Sequence, residues 1–262
     1  ALIRLGLPGI IRHIVADTSH FAGNYPEACS IEACELEGEP SLVELVRDPS
    51  RWSEIMERTP LLGDTKNHFP VEGSGRATHV RFVIYPDGGV ARLRLFGEVV
   101  PGPDRFPEGQ EVDLAAIENG GRVIDCSDHH FSVPNNMLMP GDAEGMHDGW
   151  ETRRRRGPGH DWAIVKLGVA GEIKRIVVDT SHFKGNAPGS CDLETVNAPA
   201  ATVQRLQGAE WTTLLPATKL EPDRRQALED LNEVGRVTHV RFNIHPDGGV
   251  ARLRLFGTAA RS

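Results

Sequence analysis

An aspartate and a histidine spaced three residues apart occur twice, as Asp17 with His20 and as Asp179 with His182. An imidazole with a carboxylate beside it can take a proton from water, which is general-base chemistry. On a strand this spacing puts the two side chains on opposite faces, so they meet only where the chain turns. The competing structural role is that the aspartate and the nearby serine bond the backbone of a strand-end turn. A second acidic pair, Asp148 and Glu151, flanks Trp150 and precedes the run Arg153–Arg156. Two carboxylates in unlike surroundings can divide acid and base work. The expectation is that one of this pair serves a site while the rest neutralise the arginines.

The cationic residues also recur. Arg81, Arg92 and Arg94 return as Arg241, Arg252 and Arg254, with His79 and His239 in the same pattern. Guanidinium groups hold a carboxylate through two parallel hydrogen bonds. These residues, with Arg153, are therefore candidates for gripping a small anion. The competing role is a sheet face laced with exposed ion pairs, each worth little.

Asp128-His129-His130 and His160-Asp161 contain metal-ligand types, but no HExxH and no spaced cysteine pairs occur. Manganese is the metal that oxygen and imidazole ligands would suit. The expectation is that no catalytic metal is required. Cys29, Cys34, Cys126 and Cys191 show no repeated pattern and read as free thiols of a reducing compartment.

The elements that must position these residues are themselves duplicated. Thr78–Gly97 and Thr238–Gly257 differ only at Val83/Asn243 and Tyr85/His245. Asp17–Asn24 matches Asp179–Asn186, and Leu5-Gly6 matches Leu167-Gly168. Leu61-Leu62 with Thr65-Lys66 also aligns with Leu214-Leu215 and Thr218-Lys219. The second copy has a lead-in from about Asn119 to Ile164, whereas Ile3, the equivalent of Val165, is preceded by two residues. This predicts a further segment of about 45 residues ahead of the first copy in the functional protein. The organisation expected is a first repeat over 1–100, a Pro/Gly-rich linker over 101–118 and a second repeat over 119–262.

Within Thr78–Tyr85, Val80, Phe82 and Ile84 alternate with His79, Arg81 and Val83, and Leu93 and Leu95 alternate with Arg92 and Arg94 beyond Asp87-Gly88-Gly89. Period-two alternation flanking an Asp-Gly turn predicts a β-hairpin, with His79, Arg81, Arg92 and Arg94 on one face of one sheet. Strands are also predicted at Ile11–Ala16 and Ile173–Val178. Helices are predicted at Ser41–Arg47, Trp52–Arg58 and Asp223–Asn232, and a short one at Val112–Glu118. Many short strands with Gly and Pro turns make each unit an all-β sandwich.

The 262 residues carry a net charge of −8, which argues against a nucleic-acid partner. No apolar run approaches the roughly 20 residues of a membrane span.

The combination of DTSHFxGN, PDGG-ARLRLFG and DGWETRRRRGPGHDW (148–162) resembles the allantoicase family across nearly the whole chain. The resemblance implies two tandem jelly-roll units of the galactose-binding-like type. It also implies a cytoplasmic hydrolase of purine breakdown, converting allantoate and water to ureidoglycolate and urea, as a homo-oligomer. Allantoate carries one carboxylate and two ureido groups on one carbon, so arginines would hold the first and His or carboxylate groups would activate water. The alternative reading is a non-catalytic tandem jelly-roll that binds carbohydrate or another ligand. A composition only 6% aromatic, with recurring His, Asp and Arg, favours the enzyme.

Overall fold

Residues 1–36, 38 and 40–260 are described in the computed structural model. The chain divides into a first unit, Ala1–Gly102, and a second, Pro103–Ser262.

The first unit is organised by one long strand, β1 (Leu2–Asp17), joined by β2 (Ala28–Cys34), β3 (Ser53–Pro60), β4 (Lys66–Pro70), β5 (Arg76–Tyr85) and β6 (Arg92–Val99). The start of β1 pairs with β5, opposing Leu2 to Arg81 and Arg4 to His79. The register breaks between Arg4 and Gly9. The remainder of β1 then runs between β4 and β6, opposing Val15 to Arg94 and Asp17 to both Lys66 and Arg92. An irregularity of this kind bends a strand. β1 thus leaves one layer, β3-β2-β5-β1, and enters a second, β4-β1-β6. The inward residues of the two layers, among them Ile14, Ala16, Ile31, Val80 and Phe82, form the core. One helix, α1 (Leu42–Arg47), is opened by a capping box between Ser41 and Glu44.

The second unit repeats this plan with β10 (Asp161–Asp179), β11 (Ser190–Val196), β12 (Thr212–Lys219), β13 (Arg225–Leu228), β14 (Val237–His245) and β16 (Arg252–Ala259). Its helix α2 (Val203–Gln207) is capped by Thr202. It also has β7 (Glu111–Asp113), β8 (Arg122–Cys126), β9 (Trp150–Glu151) and β15 (Gly249–Val250). β7 pairs with β16, β8 with β10, and β9 with β15. Leu114, Met137, Leu138 and Trp150 from this lead-in are fully buried in the core. Both units are β-sandwiches of jelly-roll type. No helix among the described residues is long and apolar enough to cross a membrane.

Several expectations are corrected. β5 and β6 do not form a hairpin: each pairs with β1, in different layers. The Pro86–Gly89 turn therefore crosses between layers, so His79 and Arg81 belong to one layer and Arg92 and Arg94 to the other. Sheets packed about 10 Å apart separate those two pairs. Trp52–Arg58 is largely strand, because β3 pairs with β2, and Asp223–Asn232 contains β13, paired with β10. The helix expected at Val112–Glu118 is β7 followed by one 3-10 turn, Ile117–Asn119, stopped by Gly120 at φ 89°. From Glu111 onward the expected linker is built into the second unit's sheet.

The Leu61/Leu214 match is out of register. Leu61 donates to the Glu27 carbonyl as Leu220 does to that of Gly189, which makes Asp64 the counterpart of Asp223. Cys29 does have a counterpart: it opposes Ile84 as Cys191 opposes Ile244. All four cysteines are free thiols, and burial pushes Cys29 up to about 11 and Cys191 to about 12.

Candidate active site

β1 and β10 end at Asp17 and Asp179, and the chain turns at once. The Asp17 and Asp179 carboxylates accept the Ser19 and Ser181 backbone N–H at 3.0 and 2.9 Å. The next residues, His20 and His182, take φ of 70° and 73°. Their N–H groups are held at 2.8 Å by Asp64 and Asp223. Neither imidazole reaches its aspartate. Asp17 bonds Arg94 at 3.0 Å and Asp179 bonds Arg225 at 2.9 Å, while His182 Nε2 lies 2.9 Å from the Ala143 carbonyl. Hydrogen bonds from Ser19, then Arg94, hold Asp17 below the usual carboxylate range. Burial opposes the charge of Asp179, but Ser181 and Arg225 outweigh it. Asp17 and Asp179 thus shape the strand-end turns and pair with arginines rather than with the histidines three residues on.

These turns lock onto the PDGG segments. Gly89 and Gly249 donate to the Asn24 and Asn186 carbonyls at 2.7 and 2.8 Å. A Cβ on either glycine would stand 2.0 Å from the ring of Phe21 or Phe183.

The repeated arginines are committed elsewhere. Arg81 is doubly bonded to Glu32 and lies over Trp52. Arg241 does the same with Glu194 and Trp211. His79 and His239 are buried rather than presented, and burial, helped by Arg4 and Lys166, lowers both, His239 to about 4. Arg252 is buried and bonds the Gly141, Asn136 and Asp142 carbonyls and both the carbonyl and carboxylate of Asp148. Arg254 bonds the Met137, Met139 and Gly141 carbonyls. These side chains fasten residues 136–148, with Asp148, Arg252 and Arg254 forming a clamp. Arg92 is exposed in the first unit, and Arg94 serves Asp17.

The loop 153–160 remains. Trp150 is fully buried beneath it and donates its indole N–H to the Asp128 carbonyl at 2.9 Å. Glu151 accepts from the Asn186 amide at 2.6 Å, and Thr152 exchanges bonds with Gly248. Arg153 is paired with Asp128 at 3.0 Å. Arg155 bonds the carboxylate of Asp161, and its backbone N–H donates to Asp247 at 2.8 Å. Ser127 Oγ donates to Asp161 at 2.9 Å. Burial works against the charge of Asp128, but the Arg153 and His130 N–H groups outweigh it. Ser127, Asp128, Arg153, Arg154, Arg155 and Asp161 enclose a polar cleft of about 340 Å3.

Arg154 is exposed and, among the described residues, has no hydrogen-bond or ion-pair partner, and the same holds for Arg156. The arrangement offers one uncommitted guanidinium for an anion and fixed carboxylates for N–H donors. Of the expected site residues only Arg153 lines this cleft. Ser127, Asp128, Arg154, Arg155 and Asp161 were not among them, although the arginine run and His160-Asp161 lay in the long motif. Among the described residues no group of three or more His, Cys, Asp or Glu side chains gathers as a metal site.

The chain matches the family model described as "Allantoicase repeat" over residues 1–100 and 112–260. It is 47% identical over 262 residues to a "Probable allantoicase" of Pseudomonas aeruginosa (strain UCBPP-PA14), covering 98% of this chain and 77% of that protein. It is 46% identical to the "Allantoicase" of Dictyostelium discoideum, covering 97% and 69%. The crystal structure of allantoicase from Saccharomyces cerevisiae superposes with a TM-score of 0.78 at 38% identity, covering 98% of this chain and 76% of that one.

Proposed function

The chain belongs to the allantoicase family, and on that footing we propose where its reaction takes place. The protein is a hydrolase of purine degradation: it converts allantoate and water to ureidoglycolate and urea. The proposed site is the cleft between Ser127-Asp128 and the loop Arg153–Asp161. The observation that carries it is the uncommitted guanidinium of Arg154 at the rim of a polar hollow. Arg154 takes the substrate carboxylate in a bidentate pair. Asp128 and Asp161, each oriented by its own arginine, accept N–H groups of the ureido arms. A volume of about 340 Å3 suits a small polar substrate. Glu151, tied to Asn186, fixes the start of the loop.

The test is urea release from allantoate by the purified protein. Arg154→Gln removes a charge-assisted bond worth about 1.5–3 kcal/mol, so KM rises about 10- to 150-fold while kcat changes less. An unchanged KM would place the carboxylate elsewhere. Assembly as a homo-oligomer belongs to the same proposal, supported by the apolar side chains that α1 shows to solvent, Leu42, Val43 and Val46. The scattering mass in solution tests it. Cytoplasmic residence is supported by four unpaired thiols.

A further inference from the structure

The outer face of β11 and β14 in the second unit carries a chain of polar side chains that the clamp and the cleft do not use. Arg241 bonds Glu194, and Glu194 accepts from the Asn243 amide at 3.0 Å. Asn243 donates again to Asp192 at 2.6 Å, and Asp192 holds Nε2 of His245. The His245 ring lies 4.5 Å from that of His160, centroid to centroid. Because a carboxylate only accepts, it fixes the proton of neutral His245 on Nε2 and leaves the Nδ1 lone pair free. His160 directly precedes the cleft residue Asp161. The Asp161 N–H in turn bonds the carbonyl of Pro246, next to His245, at 3.1 Å.

The first unit holds the same strands with different residues. Ser30, Val83 and Tyr85 stand where Asp192, Asn243 and His245 stand in the second. There the line is broken at Val83, and Ser30 bonds the Tyr85 hydroxyl at 3.0 Å. The second unit's version is the costlier one. Asn243 is buried and its carbonyl oxygen has no partner. A half-satisfied buried network destabilises a fold relative to the first unit's set, where apolar Val83 replaces the asparagine and Ser30 and Tyr85 satisfy each other.

We propose that the Asp192–His245 pair, with His160 beside it, is the proton-transfer centre of the hydrolysis and that this chemistry belongs to the second unit alone. This rests on the allantoate reading above. His245 Nδ1 takes a proton from water as the water oxygen bonds the central carbon of allantoate. The bond from that carbon to one ureido nitrogen breaks, with its electron pair going to nitrogen. The imidazolium returns the proton to this nitrogen, which leaves as urea. Asp192 orients the ring and stabilises the imidazolium.

Two variants and one spectrum test it. His245→Gln lowers kcat a hundred-fold or more with KM within about three-fold, the loss expected of a general base. The triple variant Asp192→Ser, Asn243→Val, His245→Tyr writes the first unit's residues into the second, a set this strand framework already accommodates. It loses as much activity while its Tm is unchanged or raised. A triple variant that keeps kcat within three-fold overturns the proposal, as does one whose activity falls only in step with a lowered Tm. Independently, titration with hydantoate, a carboxylate bearing one ureido group, shifts the ring NMR signals of His160 and His245. Unmoved ring signals at saturation overturn the site. A wild-type chain that releases no urea counts against the hydrolytic reading instead, and the ring signals then decide whether this face meets a ureido ligand.

Discussion

The same residue in two copies of one motif does different work depending on what covers it. Arg252 is buried among five carbonyls and a carboxylate, whereas its counterpart Arg92 is exposed. Arg252→Met strands the Asp148 carboxylate and should cost the second unit about 3–5 kcal/mol in guanidinium chloride unfolding. Arg92→Met should stay within about 0.5 kcal/mol. Equal effects would mean that Arg252 is not a clamp. His239 gives a pH prediction. Its pKa is lowered from 6.5 to about 4 in the folded chain, chiefly by burial and then by Lys166. A depressed histidine contributes stability above the unfolded value and loses it as pH falls toward the folded one. Stability should therefore fall by up to about 3 kcal/mol between pH 6.5 and 4 on account of this group. His239→Phe should flatten that part of the curve, and an unaltered slope would assign the acid sensitivity to other groups. At this scale the sequence showed which residue types recur, but not which were already bonded to one another. The glutamates that occupy Arg81 and Arg241 lie 49 and 47 positions away along the chain.

Elements were legible where a local signal decided them and illegible where pairing did. The helix expected over Ser41–Arg47 is α1, and the capping box between Ser41 and Glu44 that opens it is local to four residues. Trp52–Arg58 and Asp223–Asn232 contain good helix formers, yet β3 and β13 are strands because β2 and β10 offer edges to pair with. Tertiary pairing overrides such weak propensities. The repeat itself held the warning: the counterpart of β13 is Lys66–Pro70, which has no helical character. Asp-Gly is the usual hairpin signal, yet the turn after β5 and β14 joins strands that pair with different parts of β1 and β10. What Gly89 and Gly249 serve is close approach to Phe21 and Phe183. Gly249→Ala puts a methyl against Phe183, which is fully buried and has no room to swing. The expected loss in thermal unfolding is about 1–3 kcal/mol, as for overpacking a core. Gly89→Ala should cost less, since Phe21 is only half-buried. A larger loss at Gly89 would contradict this account of the turn.

Across the whole molecule, the two-unit plan and the family were readable from the repeat, while the proposed site was not, because it depends on lead-in residues that meet the motif only in the folded unit. The identical stretch ARLRLFG makes this measurable. In the second unit β16 has a neighbour on both edges, β10 and β7, and the Leu255 N–H donates to the Asp113 carboxylate at 3.0 Å. In the first unit β6 pairs, among the described residues, with β1 alone, and Phe96 is 51% exposed. An edge strand shows its outward N–H groups to water. Exchange protection follows local opening and access rather than sequence. Hydrogen exchange should therefore find the Leu95 amide ten-fold or more faster than that of Leu255, although six identical residues surround each. Asp113→Ala should bring the two rates together. Equal protection in the unaltered chain would mean that the lead-in strand does not shield β16. It would also remove the physical reason for Arg252 being anchored in the second unit while Arg92 is exposed in the first.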